Sequence, residues 1–185
     1  MKIVLTGTPC TGKTSLAKQV FSEKGWPAID LNALVKKEGL HFGRQGKEYV
    51  ADLKKLRKRV LRLVAGKRDW VVEGHLACEF SLPADAVVVL RAHPLLLLER
   101  MKQRKYSLNK IKDNLFCEIL DYCLIQAESN YFRGSQKTAV IQVDNTKPLT
   151  PAELVRRAST RKSDAVNWNS LLQDKRLQFL FKEKK

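Results

Sequence analysis

The chain has 185 residues, with 35 Lys and Arg against 19 Asp and Glu, and therefore a formal net charge of +16. Its length favours a single domain, and a hydrophobic content of 44% excludes a largely disordered or collagen-like chain. No apolar run reaches the length of a membrane span. We therefore expect a soluble, cytoplasmic protein without a membrane partner, and the positive charge indicates a polyanionic or phosphate-rich partner.

Strands and helices are predicted to alternate along the chain. The first half is predicted to contain a strand at Lys2–Thr6, a helix at Lys13–Glu23, a strand at Ala28–Leu31, a short helix at Asn32–Glu38, an amphipathic helix at Asp52–Val64 and a strand at Asp69–Glu73. The second half is predicted to contain a strand at Ala86–Leu90, a helix from Pro94 to about Lys105, one long helix at Leu108–Tyr131, a strand at Thr138–Val143 and a helix beginning after Thr150. This alternation favours an α/β fold of three layers, with a central parallel sheet flanked by helices.

The last residues, 173–185, are basic but also contain several large apolar side chains. They form either a packed final helix or an extension that binds a partner, and we favour the extension. Residues 1–172 are then a single domain.

A glycine-rich motif lies between the first strand and the first helix. Its residues, with the serine that follows, are Gly7, Thr8, Pro9, Cys10, Thr11, Gly12, Lys13, Thr14 and Ser15. The spacing G-x-x-x-x-G-K-[ST] is that of a P-loop, in which backbone N–H groups surround phosphate oxygens. Lys13 is then expected to reach the β- and γ-phosphates of a nucleoside triphosphate, and the Thr14 hydroxyl to bind Mg²⁺.

Two classes of P-loop protein are excluded. A GTPase needs the base-reading motif N/T-K-x-D, whereas residues 146–149 read Thr-Lys-Pro-Leu and lack the Asp. Large ATPases are excluded by size. The small-kinase class remains.

Several further blocks, in order along residues 1–155, make the chain resemble the adenylate kinase 6 family. They are residues 3–9 with Gly12-Lys13-Thr14, Val71-Val72-Glu73-Gly74-His75, Val88-Val89-Leu90-Arg91, residues 98–106 and residues 113–119. The resemblance implies a nucleoside monophosphate kinase fold, with an acceptor lobe at about residues 31–68 and a short lid at about residues 100–112. It also implies adenylate kinase and ATPase activity with ATP, Mg²⁺ and AMP. The implied role is small-ribosomal-subunit maturation with ribosomal protein uS11 or rRNA.

The resemblance also implies roles for individual residues. Glu73, which ends a buried apolar strand, would hold Mg²⁺ through water together with Thr14. His75 would position the acceptor or an attacking water. Arg100 and Arg104 lie four residues apart on one helix face, and they resemble lid arginines that hold the transferred phosphoryl group, with Arg104 also covering the adenine.

Two lysines complete the expected site. Lys147, after the last strand, lies where the adenine is expected to bind. Lys36 stands where the family has an arginine for the acceptor phosphate, and a lysine lacks the bidentate fork of that arginine.

Three other interpretations stay open from the sequence. The protein could be an ATPase switch in ribosome assembly, an RNA-binding module with an inactive nucleotide site, or another small P-loop kinase, such as one acting on shikimate or dephospho-coenzyme A. The basic run Lys54–Arg62 contains six cations and no acidic residue, which favours an anionic partner over a merely solvated helix face.

Overall fold

The computed structural model describes residues 1–46, 48–132 and 138–181. In chain order its strands and α-helices are β1 (Lys2–Thr6), α1 (Lys13–Lys24), β2 (Ala28–Asp30), α2 (Leu31–Glu38), β3 (His41–Gln45), β4 (Glu48–Ala51), α3 (Leu53–Val64), β5 (Trp70–Glu73), β6 (Ala86–Arg91), α4 (Pro94–Gln103), α5 (Leu108–Ile119), α6 (Tyr122–Phe132), β7 (Ala139–Asp144) and α7 (Pro151–Thr160). Short 3₁₀ segments follow β5, at His75–Cys78, and α7, at Asn169–Gln173 and Lys175–Phe181.

A five-stranded parallel sheet in the order β2-β5-β1-β6-β7 forms the centre of the molecule. Successive side chains of a strand point to opposite faces, so Val4 packs in one apolar cluster while Ile3 and Leu5 pack in another. The first cluster includes residues of α2, α3 and α6, and the second includes residues of α1 and α7. The predicted three-layer α/β fold is therefore confirmed.

Parallel strands place their carboxyl ends at one edge of the sheet, where ligands of such folds bind. Glycine-rich and polar segments follow three of the strands at this edge: Gly7 follows β1, Gly74 follows β5 and Asn145 follows β7. The same edge holds Asp30 and Glu73, which end neighbouring strands and are partners in the register of β2 and β5.

The predicted long helix over Leu108–Tyr131 is wrong, because the chain breaks between α5 and α6. Asp121 adopts a left-handed conformation, with φ of 57°. Its carboxylate lies 2.6 Å from the guanidinium of Arg91, whose side chain is 2% exposed. Asp121, which separates α5 from α6, thus provides a carboxylate partner for the buried Arg91 at the end of β6.

A two-stranded antiparallel sheet, β3 with β4, was not predicted within the acceptor lobe. Its turn contains Gly46 at φ of 63°, a conformation that favours glycine. The ring of Tyr49 lies 4.3 Å from that of His41, between centroids, and 4.6 Å from the guanidinium carbon of Arg44. The hairpin is therefore held partly by contacts between its own side chains.

The described part of the predicted C-terminal extension packs against the rest of the chain. Leu177 is fully buried and Leu180 is 4% exposed, and both join the apolar cluster formed with α4 and α5. The segment Lys175–Phe181 is therefore packed, as the first of the two sequence interpretations has it. It forms a 3₁₀ helix and not the expected α-helix. Residues 182–185 of the predicted extension lie outside the described residues.

None of the helices that the structure describes is both long enough and apolar enough to span a membrane.

Candidate nucleotide-binding site

The loop from Gly7 to Thr14 connects β1 to α1 and depends on two glycines in left-handed conformations. Gly7 has φ of 130°, and a Cβ there would lie 2.2 Å from the carbonyl oxygen of Leu90 in β6. Gly12 has φ of 102°, and a Cβ there would lie 2.5 Å from Nδ2 of Asn145. Neither position has room for a side chain, so both glycines of the motif are needed to place the loop.

The side chain of Lys13 lies inside this loop. Its Nζ donates hydrogen bonds of 2.8 Å to each of the carbonyl oxygens of Gly7 and Thr8, and one of 3.4 Å to the hydroxyl of Thr11. Burial lowers the pKa of the Lys13 ammonium from its ordinary value, and nearby acidic groups oppose that effect. The structure thus places a lysine, 7% exposed, where the motif predicts contact with phosphate oxygens.

The side chains of Thr14, at the start of α1, and Glu73, at the end of β5, contact each other. The Thr14 hydroxyl donates a 2.8 Å hydrogen bond to Oε1 of Glu73, whose residue is 3% exposed. Burial raises the pKa of Glu73, the hydrogen bond from Thr14 lowers it, and the charge of Asp30 raises it further. A buried carboxylate beside another acid and a hydroxyl is an oxygen-rich environment that a hard cation would stabilise.

The protein alone does not complete a metal site here. Within the described ranges, no group of three or more His, Cys, Asp or Glu side chains could hold a metal ion. Mg²⁺ commonly keeps several waters and is shared between one or two protein ligands and substrate phosphates. Thr14 and Glu73 therefore fit a Mg²⁺ ion that arrives with a nucleotide. Asp30, the register partner of Glu73, was not predicted from the sequence, although an Asp at the end of a short apolar strand is a recognisable signal.

His75 begins the 3₁₀ turn that follows Glu73 and Gly74. Burial lowers its pKa to about 4, and the positive charge of Lys13 adds to this effect. The imidazole is therefore neutral near pH 7 and offers one donor and one acceptor nitrogen. The charges of Glu48 in the hairpin and Lys110 in α5 have smaller and opposite effects on this pKa, since Glu48 raises it and Lys110 lowers it.

The two predicted lid arginines lie on α4 and at its end. Nη1 of Arg100 donates a 3.0 Å hydrogen bond to the carbonyl oxygen of Cys10, which ties α4 to the P-loop. Arg104, the residue that ends α4, is exposed. The structure thus brings Arg100 directly to the loop and leaves Arg104 at the rim.

A cavity of about 300 Å³ opens beside the loop, between α1, α4 and the segment after β7. Its lining residues are Cys10, Gly12, Ser15, Leu16, Gln19, Arg100, Gln103, Arg104, Asn145, Pro148 and Leu149. The volume lies at the low end of the range of ligand pockets. Ser15 and Arg104, both expected to contact the nucleotide, line this cavity, whereas Lys147 does not, although Asn145 and Pro148 on either side of it do. The nucleotide contacts of all three stay predictions.

Asn145 joins the P-loop to this cavity wall, a side-chain role that the sequence analysis left unassigned. Its Nδ2 donates a 2.7 Å hydrogen bond to the carbonyl oxygen of Thr11, and its Oδ1 accepts one of 2.7 Å from the backbone N–H of Leu149. Asn145 is 4% exposed, and its backbone N–H donates to the carbonyl oxygen of Arg91. One buried amide therefore fixes the P-loop relative to the segment after β7.

The hairpin of β3 and β4, in the predicted acceptor lobe, contacts α5, whose first residues belong to the predicted lid. Lys110 of α5 forms an ion pair with Glu48 of the hairpin, and its Nζ lies 4.4 Å from the centroid of the Tyr106 ring. Lys36, predicted to hold the acceptor phosphate, is exposed in the last turn of α2, and no contact with the P-loop is seen in the described part of the chain. Its role stays a prediction.

Known proteins similar to this chain include archaeal proteins and bacterial kinases. It is 33% identical to a protein of Thermococcus kodakarensis, over 92% of this chain and 94% of that protein, and 39% identical to one of Methanosarcina barkeri, over 69% and 70%. Both are named "Putative adenylate kinase". The shikimate kinase structure from Bacteroides thetaiotaomicron aligns with a TM-score of 0.49 and 21% identity, over 86% of this chain and 94% of that chain. A family model described as an AAA domain (AAA_18) matches residues 3–121.

Proposed function

This chain belongs to the AAA domain family, and from that membership and the geometry of its P-loop we propose that it is an ATP-dependent nucleotide kinase. The reaction we propose is that of an adenylate kinase, in which ATP and AMP give two ADP. The observation that carries the proposal is the arrangement of Lys13 inside the loop, with Thr14 hydrogen-bonded to the buried Glu73. The names of the archaeal relatives agree with it.

Phosphate binding is assigned to the loop and to Lys13. The carbonyl oxygens of Gly7 and Thr8 hold the Lys13 ammonium in place, and the phosphate oxygens of ATP would accept its hydrogen bonds instead. The N-terminus of α1 adds the positive end of its dipole. Arg100 and Arg104 lie on the side from which the lid would neutralise charge on the transferred phosphoryl group, and such arginines supply about 10³–10⁵ in rate in related enzymes.

Mg²⁺ is assigned to the Thr14 hydroxyl and, through water, to Glu73. When bound there, the ion would neutralise charge on the phosphate oxygens. The chain prepares this position by burying Glu73 beside Asp30, since the negative charge is costly until a cation is present.

AMP is assigned to the space between His75 and the acceptor lobe. The neutral imidazole would orient the acceptor by hydrogen bonds, and Lys36 would attract its phosphate as a point charge. Transfer then requires the acceptor oxygen to attack in line with the bond to the leaving ADP.

The second candidate is an ATPase in which water replaces AMP, as the resemblance to the adenylate kinase 6 family implies. It is favoured by Lys36, because a lysine cannot grip the acceptor phosphate with two parallel hydrogen bonds as an arginine does. In this case hydrolysis would act as a switch in small-ribosomal-subunit maturation, with uS11 or rRNA as the partner. The excess positive charge of residues 36–68 agrees with an RNA partner.

The experiment that tests the proposal is a panel of ATP with each common nucleoside monophosphate, with nucleotides separated by chromatography. ADP formation that depends on AMP and on Mg²⁺ supports the kinase. ADP formed at the same rate without any monophosphate, and accelerated by rRNA or uS11, supports the ATPase switch instead. Absence of ADP in every mixture contradicts both.

A further inference from the structure

Helix α3 carries six cations, and the structure separates them into two groups. Three have partners: Lys55 forms an ion pair with Asp52, Arg57 donates to the carbonyl oxygen of Ser81, and Arg59 is bound by Glu38 through two nitrogens. The other three are Lys54, Lys58 and Arg62, which are exposed. No carboxylate among residues 1–46, 48–132 and 138–181 pairs with them.

Lys54, Lys58 and Arg62 form one stripe along the same side of α3, because residues four apart are neighbours on a helix surface. At a rise of about 1.5 Å per residue, neighbouring cations of the stripe are spaced by about 6 Å along the helix axis. Lys67 and Arg68 are exposed in the loop just beyond the carboxyl end of this helix. The opposite face of α3 is fixed to the core by Leu56 and Val60, both fully buried, so the stripe has a rigid support.

An unpaired stripe of this kind costs stability when nothing binds to it. Like charges at i and i+4 destabilise a helix by about 0.2–0.5 kcal/mol per pair, and the stripe contains two such pairs. Glu38 and Asp52, the nearby acids, are engaged with Arg59 and Lys55. A bound row of phosphates would remove this repulsion and release counterions.

We propose that the stripe of Lys54, Lys58 and Arg62 binds the phosphate backbone of a single RNA strand. The inference deepens the RNA part of the proposed function, on which it rests, and it concerns a surface outside the nucleotide site. An axial spacing of about 6 Å lets successive cations meet successive phosphates of an extended strand. No exposed aromatic residue lies on α3, which favours backbone contact without base stacking, and hence little sequence preference.

A lipid surface fits the stripe less well than RNA does. Helices that bind at a membrane interface present Trp, Phe or Leu beside their basic residues, and these apolar side chains enter the bilayer. The exposed positions of α3 are all basic, while its apolar residues are buried or partly buried.

The test uses fluorescence anisotropy of a labelled oligouridylate over a series of salt concentrations. The variant K54Q/K58Q/R62Q removes the stripe, and K24Q/K162Q/K175Q removes the same charge from exposed lysines elsewhere. For three lost phosphate contacts, the slope of log K against log salt should become less steep by about 2, at about 0.7 per contact. The matched control should keep the wild-type slope.

Equal losses in the two triple variants would overturn the proposal, because net charge rather than the stripe would then explain the binding. Stripe-dependent binding to phosphatidylserine vesicles or polyglutamate that is as tight as binding to RNA would also overturn it. Thermal unfolding shows that each variant is folded. ADP formation from ATP and AMP should be unchanged in the stripe variant. If the wild type forms no ADP, the proposed kinase fails while the RNA result still stands.

Discussion

At the scale of single residues, the site depends on a few positions where neighbouring atoms leave no room for another side chain. Gly7 lies against the backbone of β6 and Gly12 against Asn145, so the loop can close only where side chains are missing. Asn145 then holds the loop by a hydrogen bond to Thr11. The motif could be found from the sequence because its residues are contiguous. The side chain of Asn145, which supports the loop, lies more than a hundred residues away in the sequence, so its role could not be predicted.

Replacement of Asn145 by alanine should raise the KM for ATP by about tenfold, because the buried carbonyl of Thr11 and the half-buried N–H of Leu149 lose their partner and the loop loses its link to the segment after β7. The value of kcat should change less, since Asn145 holds the loop and has no contact with Thr14 or Glu73. Steady-state kinetics with varied ATP measures both constants. The exposed Asn169 replaced by alanine is the control, and an unchanged KM in Asn145→Ala would contradict the role.

Replacement of Glu73 by glutamine should separate activity from stability. The folded-state pKa of Glu73 is raised by burial, so at pH 7 its charge opposes folding, and a neutral amide of the same shape removes that cost. The free energy of unfolding at pH 7 should therefore not fall, whereas the Mg²⁺ concentration needed for half-maximal ADP formation should rise. Urea unfolding and a Mg²⁺ titration measure the two effects. Lower stability with an unchanged Mg²⁺ requirement would contradict the assignment.

At the scale of elements, Arg91 at the end of β6 organises the break between α5 and α6. Its Nε lies 2.9 Å from Oε1 of Glu118, and Glu118 is 1% exposed. The same carboxylate accepts a 3.3 Å hydrogen bond from the indole of Trp168. The sequence predicted one long helix here because helical composition continues through residue 121. The break is stabilised by Arg91, a buried cation on β6, which lies about 30 residues earlier in the sequence.

Replacement of Glu118 by leucine should lower the free energy of unfolding by about 3–5 kcal/mol, because it leaves the Arg91 charge buried with less compensation. The double variant Arg91→Met with Glu118→Leu should recover much of this loss, since it removes both fully buried charges, and Asp121, which also loses its partner, is 33% exposed to water. Urea unfolding of the two single variants and the double variant measures the coupling. Equal stability of Glu118→Leu and the wild type would contradict the structural role of the pair.

The 3₁₀ segment Lys175–Phe181 is packed against the rest of the chain, whereas the sequence favoured an extension at this position. Its basic composition suggested an extension, but Leu177 and Leu180 complete the cluster on α4 and α5. Replacement of the fully buried Leu177 by alanine should cost about 2–5 kcal/mol, as core truncations do. Replacement of the exposed neighbour Gln178 by alanine should change stability by no more than about 0.5 kcal/mol. Equal effects in thermal or urea unfolding would contradict the packed arrangement.

At the scale of the whole molecule, the sheet and the P-loop could be predicted from local sequence patterns, whereas contacts between segments distant in the sequence could not. Apolar runs such as β1 and β6 identify buried strands, and the glycine motif identifies the site. The hairpin of β3 and β4 has polar and glycine residues that give no clear strand signal. Its ion pair with α5 joins residues 62 positions apart. Asp30 and Glu73 likewise become neighbours only through strand register.

The distribution of the net charge of +16 can also be described at this scale. Lys13, Arg100 and Arg104 belong to the proposed nucleotide site, while Lys54, Lys58 and Arg62 of α3 form a surface of their own. The protein therefore presents one region suited to nucleotide phosphates and a second suited to a larger polyanion. The two can be tested independently, because none of the residues in the stripe belongs to the nucleotide site.

The proposed transfer of a phosphoryl group from ATP to AMP at the P-loop is tested most directly by comparing ADP formation by Lys13→Ala and by the wild type. With ATP, AMP and Mg²⁺, we expect AMP-dependent ADP formation by the wild type and a loss of about 10²–10³ in rate for Lys13→Ala, since its charge stabilises the transition state. Thermal unfolding confirms that the variant is folded. A folded Lys13→Ala protein that forms ADP at the wild-type rate would contradict the account.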